Sequence, residues 1–309
     1  MVSPLWKLRL AMLGTLAVVI GVTTLIVGGL AIYFGFGLTI TALLIVLVNL
    51  AQWLFAPYII DAFYGISEAD PYRHRELYEI VENLSSKSGI KVPKLMISSL
   101  PIPNAFAYGS PLTGNRIAVT EGLLKVLDRD EVAAVIGHEI GHLKHRDVQL
   151  MMFASLLPAL LLYLGYVFSY SRSSRENRGL LGLGLIALGY ILQLFVLGLS
   201  RLREYYADAH SAMILEDGAS KLQKALAKIA VVTGSLAIRG LNVSQYSQFR
   251  TLFIYDPTSS IRDLELLSDA ERLVEKLKSS EVGFFEALTE VFSTHPNVVK
   301  RIKALEAFK

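Results

Sequence analysis

Two histidines and a glutamate in the segment His138-Glu139-Ile140-Gly141-His142 form the pattern H-E-x-x-H. Residues four apart in a helix share one face, so His138 and His142 can bind one metal ion together. Glu139, beside the first histidine, is placed to act as a general base on a water molecule at that ion. The pattern predicts metal-assisted hydrolysis with one Zn²⁺ per chain, although this ligand chemistry also suits other first-row ions.

A catalytic zinc site usually has three protein ligands and one open position, so a third ligand is needed. His145 is seven residues beyond His138, roughly 10 Å of helix rise, which is too far for one ion. Glu204 fits best, because Glu204 and His142 flank two apolar runs that can pair as an antiparallel hairpin. Asp208, four residues later, can accept a hydrogen bond from a ligating imidazole and fix its tautomer. The full set of candidates is His145, Asp147, Glu204, Asp208 and His210.

Peptide hydrolysis also requires a donor for the tetrahedral oxyanion. His295 and Arg301 are the candidates, in the segment Ser293-Thr294-His295-Pro296 and the helix that follows it. The alternative interpretation of the two residues is a helix start and a surface base.

Long charge-free runs predict a membrane protein. The chain has 309 residues, of which 53% are hydrophobic. Residues 10–60 contain no charged residue, enough for two spanning helices of about 20 residues each, with Gly35-Phe36-Gly37 as the turn. Two further runs, 148–171 and 179–200, predict a second hairpin that crosses the membrane fully or partly. Buried core helices of a soluble domain are the alternative for this second pair.

Flanking charges predict the orientation in the membrane, because basic residues favour the cytoplasmic side. Three arginines lie in the loop between the third and fourth runs, on the opposite side from the larger set of basic residues. They conflict less with the predicted orientation if the second hairpin does not cross the membrane fully. The larger set predicts a multi-pass protein of the cell membrane whose catalytic part faces the cytoplasm. This set consists of Lys7, Arg9, Arg73, Arg75, Lys144, Arg146, Arg201 and Arg203.

Other classes are disfavoured by composition. Lys7 and Arg9 precede an apolar stretch too long for a signal-peptide core, which favours an uncleaved anchor. The chain has no cysteine, so no disulfide stabilises it. A net charge of +3 is too small to indicate nucleic-acid binding.

The polar segments predict an interrupted soluble domain containing helices and a small sheet. Apolar spacing predicts a helix ending near Gly89, and Asp128 with Glu131 signals the start of the helix carrying H-E-x-x-H. Three short runs predict strands: 94–98, 104–108 and 116–120. The predicted fold is mostly α, with two hydrophobic helical hairpins and an α+β domain. Its parts are a hairpin at 1–66, the first catalytic part at 67–147, a second hairpin at 148–200 and the second catalytic part at 201–309.

Taken together, these motifs resemble the HtpX-type membrane zinc metalloproteases, gluzincin-fold relatives of the CAAX prenyl-protein endoproteases. The resemblance covers residues 77–302. It depends on several motifs in the right order: Asn104-Ala105-Phe106-Ala107, Ile117 to Leu124, His138 to His142 with Asp147, Arg203 to Asp208, and His295-Pro296 with Arg301-Ile302.

The resemblance implies zinc bound by His138, His142 and Glu204, with Glu139 as catalytic base. Asp208 would contact a zinc ligand rather than the zinc itself. It implies that the segment around Asn104 is an edge strand that holds polypeptide substrates by strand addition. His295 and Arg301 would approach the substrate or the oxyanion. The family acts on misfolded membrane proteins, is associated with heat stress and tends to cleave itself when purified with zinc.

Two other functions stay open at this point. One is a CAAX-type processing peptidase, against which the absence of a long multi-span chamber argues. The other is a membrane-anchored adaptor whose metal site is structural. A structural zinc would be closed by four protein ligands, whereas the sequence offers three and a nearby carboxylate base.

Overall fold

The computed structural model describes residues 28–29, 35–170, 176–238 and 269–309. Helices predominate, and four short strands follow the first described long helix. The elements in chain order are α1 (Leu38–Tyr64), β1 (Ile66–Glu68), α2 (Arg75–Ser88), β2 (Lys94–Ser98), β3 (Ala105–Ser110), β4 (Gly114–Thr120), α3 (Glu121–Val126), α4 (Arg129–Lys144), α5 (Asp147–Tyr170), α6 (Glu176–Ile214), α7 (Gly218–Ile238), α8 (Ala270–Ser279), α9 (Phe284–Glu290), α10 (Val298–Leu305) and a final 3₁₀ turn (Glu306–Phe308).

The four strands form one mixed sheet in the order β1-β2-β4-β3. β2 and β4 are parallel. β1 pairs antiparallel with β2, and β3 pairs antiparallel with β4. The predicted strand at 94–98 is confirmed. The strand predicted at 104–108 ended two residues too early and the strand predicted at 116–120 began two residues too late, because Gly109 and Gly114 adopt positive φ and continue the ladder to the shared turn. β3 is therefore an edge strand.

The sheet has two buried faces, as the alternation of side chains along a strand requires. One face contributes Leu95, Ile117 and Val119 to a core shared with the surrounding helices. On the other face, Phe106 stacks against Tyr64 at the end of α1, with ring centroids 5.7 Å apart. The sheet is thus held between the helical core and the end of α1.

Polar contacts reinforce the junction between α1 and the sheet. Asp61 accepts hydrogen bonds from the Tyr108 hydroxyl, at 2.6 Å, and from the Arg116 guanidinium. The Ser98 hydroxyl donates to the Tyr64 carbonyl at 2.7 Å. The end of α1 therefore fixes both the edge strand β3 and its neighbour β4.

Helix α4 begins where the sequence predicts. The Asp128 carboxylate accepts the Glu131 N–H, and the Glu131 carboxylate accepts the Asp128 N–H, which completes a capping box. Two glycines let α6 pack closely against α4. A Cβ at Gly137 would lie 3.0 Å from Ser211 Oγ, and one at Gly141 would lie 3.0 Å from Ala207 Cα. This approach brings the H-E-x-x-H helix next to the helix that carries Glu204.

The described chain divides into two compact units. One comprises the described parts of residues 1–54 and 149–199, and the other comprises 55–148 and 200–309. The first division precedes residue 66, where the hairpin was predicted to end, because the last turns of α1 pack on the sheet. The predicted division into two hairpins and two catalytic parts stays a prediction.

Two described helices are long and apolar enough to cross a membrane, Thr39–Tyr64 and Gly179–Ile214. The third run forms α5, whose apolar part, Leu157–Ser169, is shorter. Within the first unit α5 and α6 approach closely in opposite directions, since Gly165 faces Gly182 and Leu162 faces Gly189. Apart from residues 28–29, the first helix of the predicted N-terminal hairpin lies outside the described residues, so the arrangement of two hairpins stays a prediction.

Candidate metal centre

Three of the predicted ligands converge in the second unit. His138 Nε2 and His142 Nε2 are 3.1 Å apart. Glu204 reaches both from α6, with Oε2 3.7 Å from His138 Nε2 and Oε1 3.5 Å from His142 Nε2. All three side chains are buried, and one possible ligand atom from each lies within 4.8 Å of the others. The helix spacing and the α4–α6 crossing together produce this cluster.

The second ring nitrogen of each histidine is held by a carboxylate. Asp208 is 2.9 Å from His138 Nδ1, and Asp147 is 2.6 Å from His142 Nδ1. A carboxylate accepts a hydrogen bond there, which places the proton of each neutral imidazole on Nδ1. Both Nε2 atoms are then left as acceptors that face each other.

This donor set fits a divalent cation. Two acceptor nitrogens at 3.1 Å and a carboxylate nearby repel one another unless a cation lies among them. Glu204 Oε2 is buried and takes part in no well-formed hydrogen bond, although His295 Nδ1 and Arg301 Nη1 lie 3.1 and 3.3 Å from it. Two imidazoles and one carboxylate form a three-ligand set found in catalytic zinc sites. The residues present therefore fit zinc.

Glu139, the predicted general base, is fixed by the edge strand. Its Oε2 accepts a hydrogen bond from the Ala107 N–H at 2.7 Å. Burial raises the pKa of Glu139 to about 7, although the nearby His142 opposes the shift. A carboxyl group with a pKa near neutrality can both accept and release a proton under working conditions.

The Ala107 contact also shows which way the edge strand faces. Thr120 N–H donates to the Asn104 carbonyl, so the backbone groups of Asn104 face β4. Backbone groups alternate direction along an antiparallel strand, so those of Ala105 and Ala107 face the outer edge. The outer edge of β3 therefore lies beside Glu139. Asn104 itself is buried and precedes the strand.

Arg301 and His295 both lie at the cluster. Arg301 is buried, and its guanidinium donates to the two Asp208 oxygens at 2.6 and 2.8 Å. It also lies 3.3 Å from Glu204 Oε2, while His295 Nδ1 lies 3.1 Å from the same oxygen. The Arg301 guanidinium offsets the charge of the buried carboxylates of α6. The predicted contact of Arg301 and His295 with substrate or oxyanion stays a prediction.

The contact of Asp147 with His142 was not predicted; from the sequence, Asp147 was named only as a possible third ligand and as a residue of the family motif. Helix α4 ends at Lys144, and Arg146 then adopts a left-handed φ of 55°. This turn brings Asp147 back to His142, and Arg203 Nε lies 3.0 Å from the Asp147 carboxylate. His142 and Arg203 hold the pKa of Asp147 below its usual value against the effect of burial. The signal was a carboxylate just after the helix end.

The remaining third-ligand candidates lie elsewhere. His145 is exposed at the end of α4. His210 is buried, and its Nε2 is 2.9 Å from the Ser88 hydroxyl of α2. Asp147 and Asp208 hold imidazoles, as described above. The geometry thus selects Glu204 from the five candidates.

The chain is similar to known peptidases over most of its length. The model of peptidase family M48 matches residues 71–309. A protease HtpX homolog of Thermoplasma acidophilum is 39% identical over 291 residues, covering 90% of this chain and 89% of the relative. The Aeropyrum pernix homolog is 40% identical over 308 residues, covering 96% and 95%.

A solved structure has a similar fold. The crystal structure of S. mikatae Ste24p aligns with a TM-score of 0.55 at 19% identity. The alignment covers 98% of this chain and 66% of that chain, so the present chain spans about two thirds of its length.

Proposed function

This chain belongs to peptidase family M48, and from that membership and the metal centre we propose an integral membrane zinc endopeptidase that cleaves misfolded or damaged membrane proteins. Membership makes the chain a metalloprotease. The proposal adds the residues that carry the reaction, the class of substrate and the placement in the membrane.

One observation supports the proposal most strongly. The possible ligand atoms of His138, His142 and Glu204 cluster within 4.8 Å of one another, and Glu139 follows the first histidine on the same helix. Three ligands leave one position for water, as catalytic zinc sites require.

The division of work among the residues follows from their contacts. When bound, zinc would polarise the substrate carbonyl and lower the pKa of water. Glu139 accepts the proton of the attacking water and passes it to the leaving amine. Asp208 and Asp147 keep His138 and His142 in one tautomer and orientation.

Substrate binding is assigned to the edge strand. An extended segment can add to the outer edge of β3, where Ala105 presents its N–H and carbonyl and Ala107 presents its carbonyl, because the Ala107 N–H is bonded to Glu139. This mode reads the substrate backbone and tolerates many sequences, which suits a protease of damaged proteins. Asn104 contacts the substrate backbone at the start of the strand, and His295 or Arg301 donates to the substrate or the oxyanion.

The proposed placement keeps the two hydrophobic hairpins in the bilayer. The metal centre then faces the cytoplasm, close to the inner surface of the cell membrane, where the larger set of basic residues lies. Membrane proteins are the expected partners, including other copies of this chain through self-cleavage. The similarity to HtpX homologs supports this assignment more specifically than that of a CAAX-type processing peptidase.

The proposal predicts that proteolysis depends on zinc. The full chain is purified in detergent with a chelator and then mixed with casein, with and without zinc. We expect cleavage only after zinc is added, and reversal by excess chelator. Chelated protein that cleaves as fast as the zinc-loaded sample would refute the proposed function.

A further inference from the structure

An exposed apolar surface lies on α9 and the two residues after it. Its members are large apolar residues, which we call the α9 surface: Phe284, Leu288, Val291 and Phe292, exposed to 76%, 50%, 40% and 44%. Phe284 and Leu288 are four residues apart, so they share one helix face, and Val291 and Phe292 directly follow the helix. Contiguous exposed apolar residues usually mark a surface that contacts a partner or a membrane.

The opposite side of α9 is anchored to the protein by charges. Glu290 pairs with Lys300 of α10 at 2.6 Å. Arg201 of α6 donates from Nη1 to the carbonyls of Glu290, Val291 and Ser293 at 2.8 to 2.9 Å. These bonds hold the last residue of α9 and the segment that follows it against α6. The anchoring fixes which side of the short helix faces outward.

The anchor residue also indicates the depth of α9. Arg201 is the first charged residue after the charge-free run 179–200, which is about the length that spans a bilayer. The carbonyls of Val291 and Ser293 are bonded to this residue, so the α9 surface lies at the level where α6 leaves the apolar run. At that level a spanning helix meets lipid headgroups and the ends of acyl chains.

We propose that the α9 surface inserts into the lipid bilayer at its interface, as the apolar face of a short amphipathic helix does. The inference rests on the proposed placement of α6 in the membrane. Lipid is the occupant because Arg201, which bonds the end of α9, directly follows the proposed span in sequence.

The insertion has a consequence for the site. Phe292 precedes His295 by three residues, and His295 Nδ1 lies 3.1 Å from Glu204. A lipid contact at Phe292 therefore fixes the height of the metal centre above the bilayer. Substrate segments that emerge from the membrane would meet the site within a short distance of the surface.

The absence of native cysteine allows a direct test. Single cysteines are placed at Leu288, Phe292, Phe195 and Val92, spin-labelled and reconstituted as full chains in lipid nanodiscs. Phe195, 70% exposed on α6, reports the proposed span. Val92, 47% exposed, precedes β2 at the end opposite Ser98, which bonds the end of α1. Collision rates with oxygen, which partitions into lipid, and with a water-soluble nickel chelate give the depth of each label.

We expect the oxygen-to-nickel ratio at Leu288 and Phe292 to exceed that at Val92 severalfold and to approach that at Phe195. Ratios at Leu288 and Phe292 equal to that at Val92, with a high ratio at Phe195, would overturn the inference alone. A ratio at Phe195 equal to that at Val92 would overturn the proposed span, and the inference with it. Casein cleavage by each labelled variant confirms that it is folded.

Discussion

Replacing Glu139 by glutamine should lower kcat/KM for casein by about 10²- to 10⁴-fold, the usual contribution of a general base. Glutamine keeps the shape of the side chain and can still accept the Ala107 N–H through its amide oxygen. It cannot take a proton from water at neutral pH. The loss should therefore appear in the rate, while the zinc content per chain stays at one.

The matched control for this change is Asp130→Asn. Asp130 lies on the same helix, and its carboxylate is mostly exposed, with a surface ion pair to Lys221. Such pairs contribute little, so activity should stay within about twofold of the unmodified protein. Unchanged proteolysis in Glu139→Gln, measured on a sample with full zinc content, would refute the assignment of the base.

Replacing Glu204 by alanine should abolish zinc retention during dialysis, and proteolysis with it. The two imidazoles of α4 would then be the only ligands left from the proposed set. Loss of a residue that hydrogen-bonds a metal ligand weakens metal binding by about 10- to 100-fold. Loss of a direct ligand should therefore weaken zinc binding by at least about 100-fold. Elemental analysis of the dialysed protein measures this directly.

Two further variants separate ligand loss from misfolding. Glu204→Gln keeps the size of the side chain, although it removes the charge that faces Arg301 and His295. Glu216→Ala removes an exposed carboxylate just beyond α6 and should keep both zinc and activity. Full zinc content in Glu204→Ala would contradict only the third-ligand assignment and would leave the role of Glu139 intact.

The local structure around the metal centre could be predicted because its signals are short-range. The capping box at Asp128 and Glu131 fixes the start of α4, and the spacing of His138 and His142 places them on one face. The choice of Glu204 needed one step more, the assumption that the two apolar runs between His142 and Glu204 pair. The structure brings Glu204 to the two histidines.

Contacts between distant parts of the chain could not be predicted in this way. The Arg301–Asp208 pair and the Ala107–Glu139 hydrogen bond join residues far apart in sequence, and no periodicity specifies them. The contact of Asp147 with His142 is local, but it depends on the left-handed turn at Arg146. A left-handed φ is uncommon for residues other than glycine, so an arginine at position 146 gives no sequence signal for this turn.

The central claim is a zinc ion held by two imidazoles and one carboxylate with a position open to water. X-ray absorption at the zinc edge of the zinc-loaded chain tests it most directly, because scattering from imidazole rings counts the histidine ligands. We expect two imidazoles at about 2.0–2.1 Å and the remaining ligands to be oxygen. A third imidazole, with His295 occupying the open position, would show a closed structural site and contradict the claim.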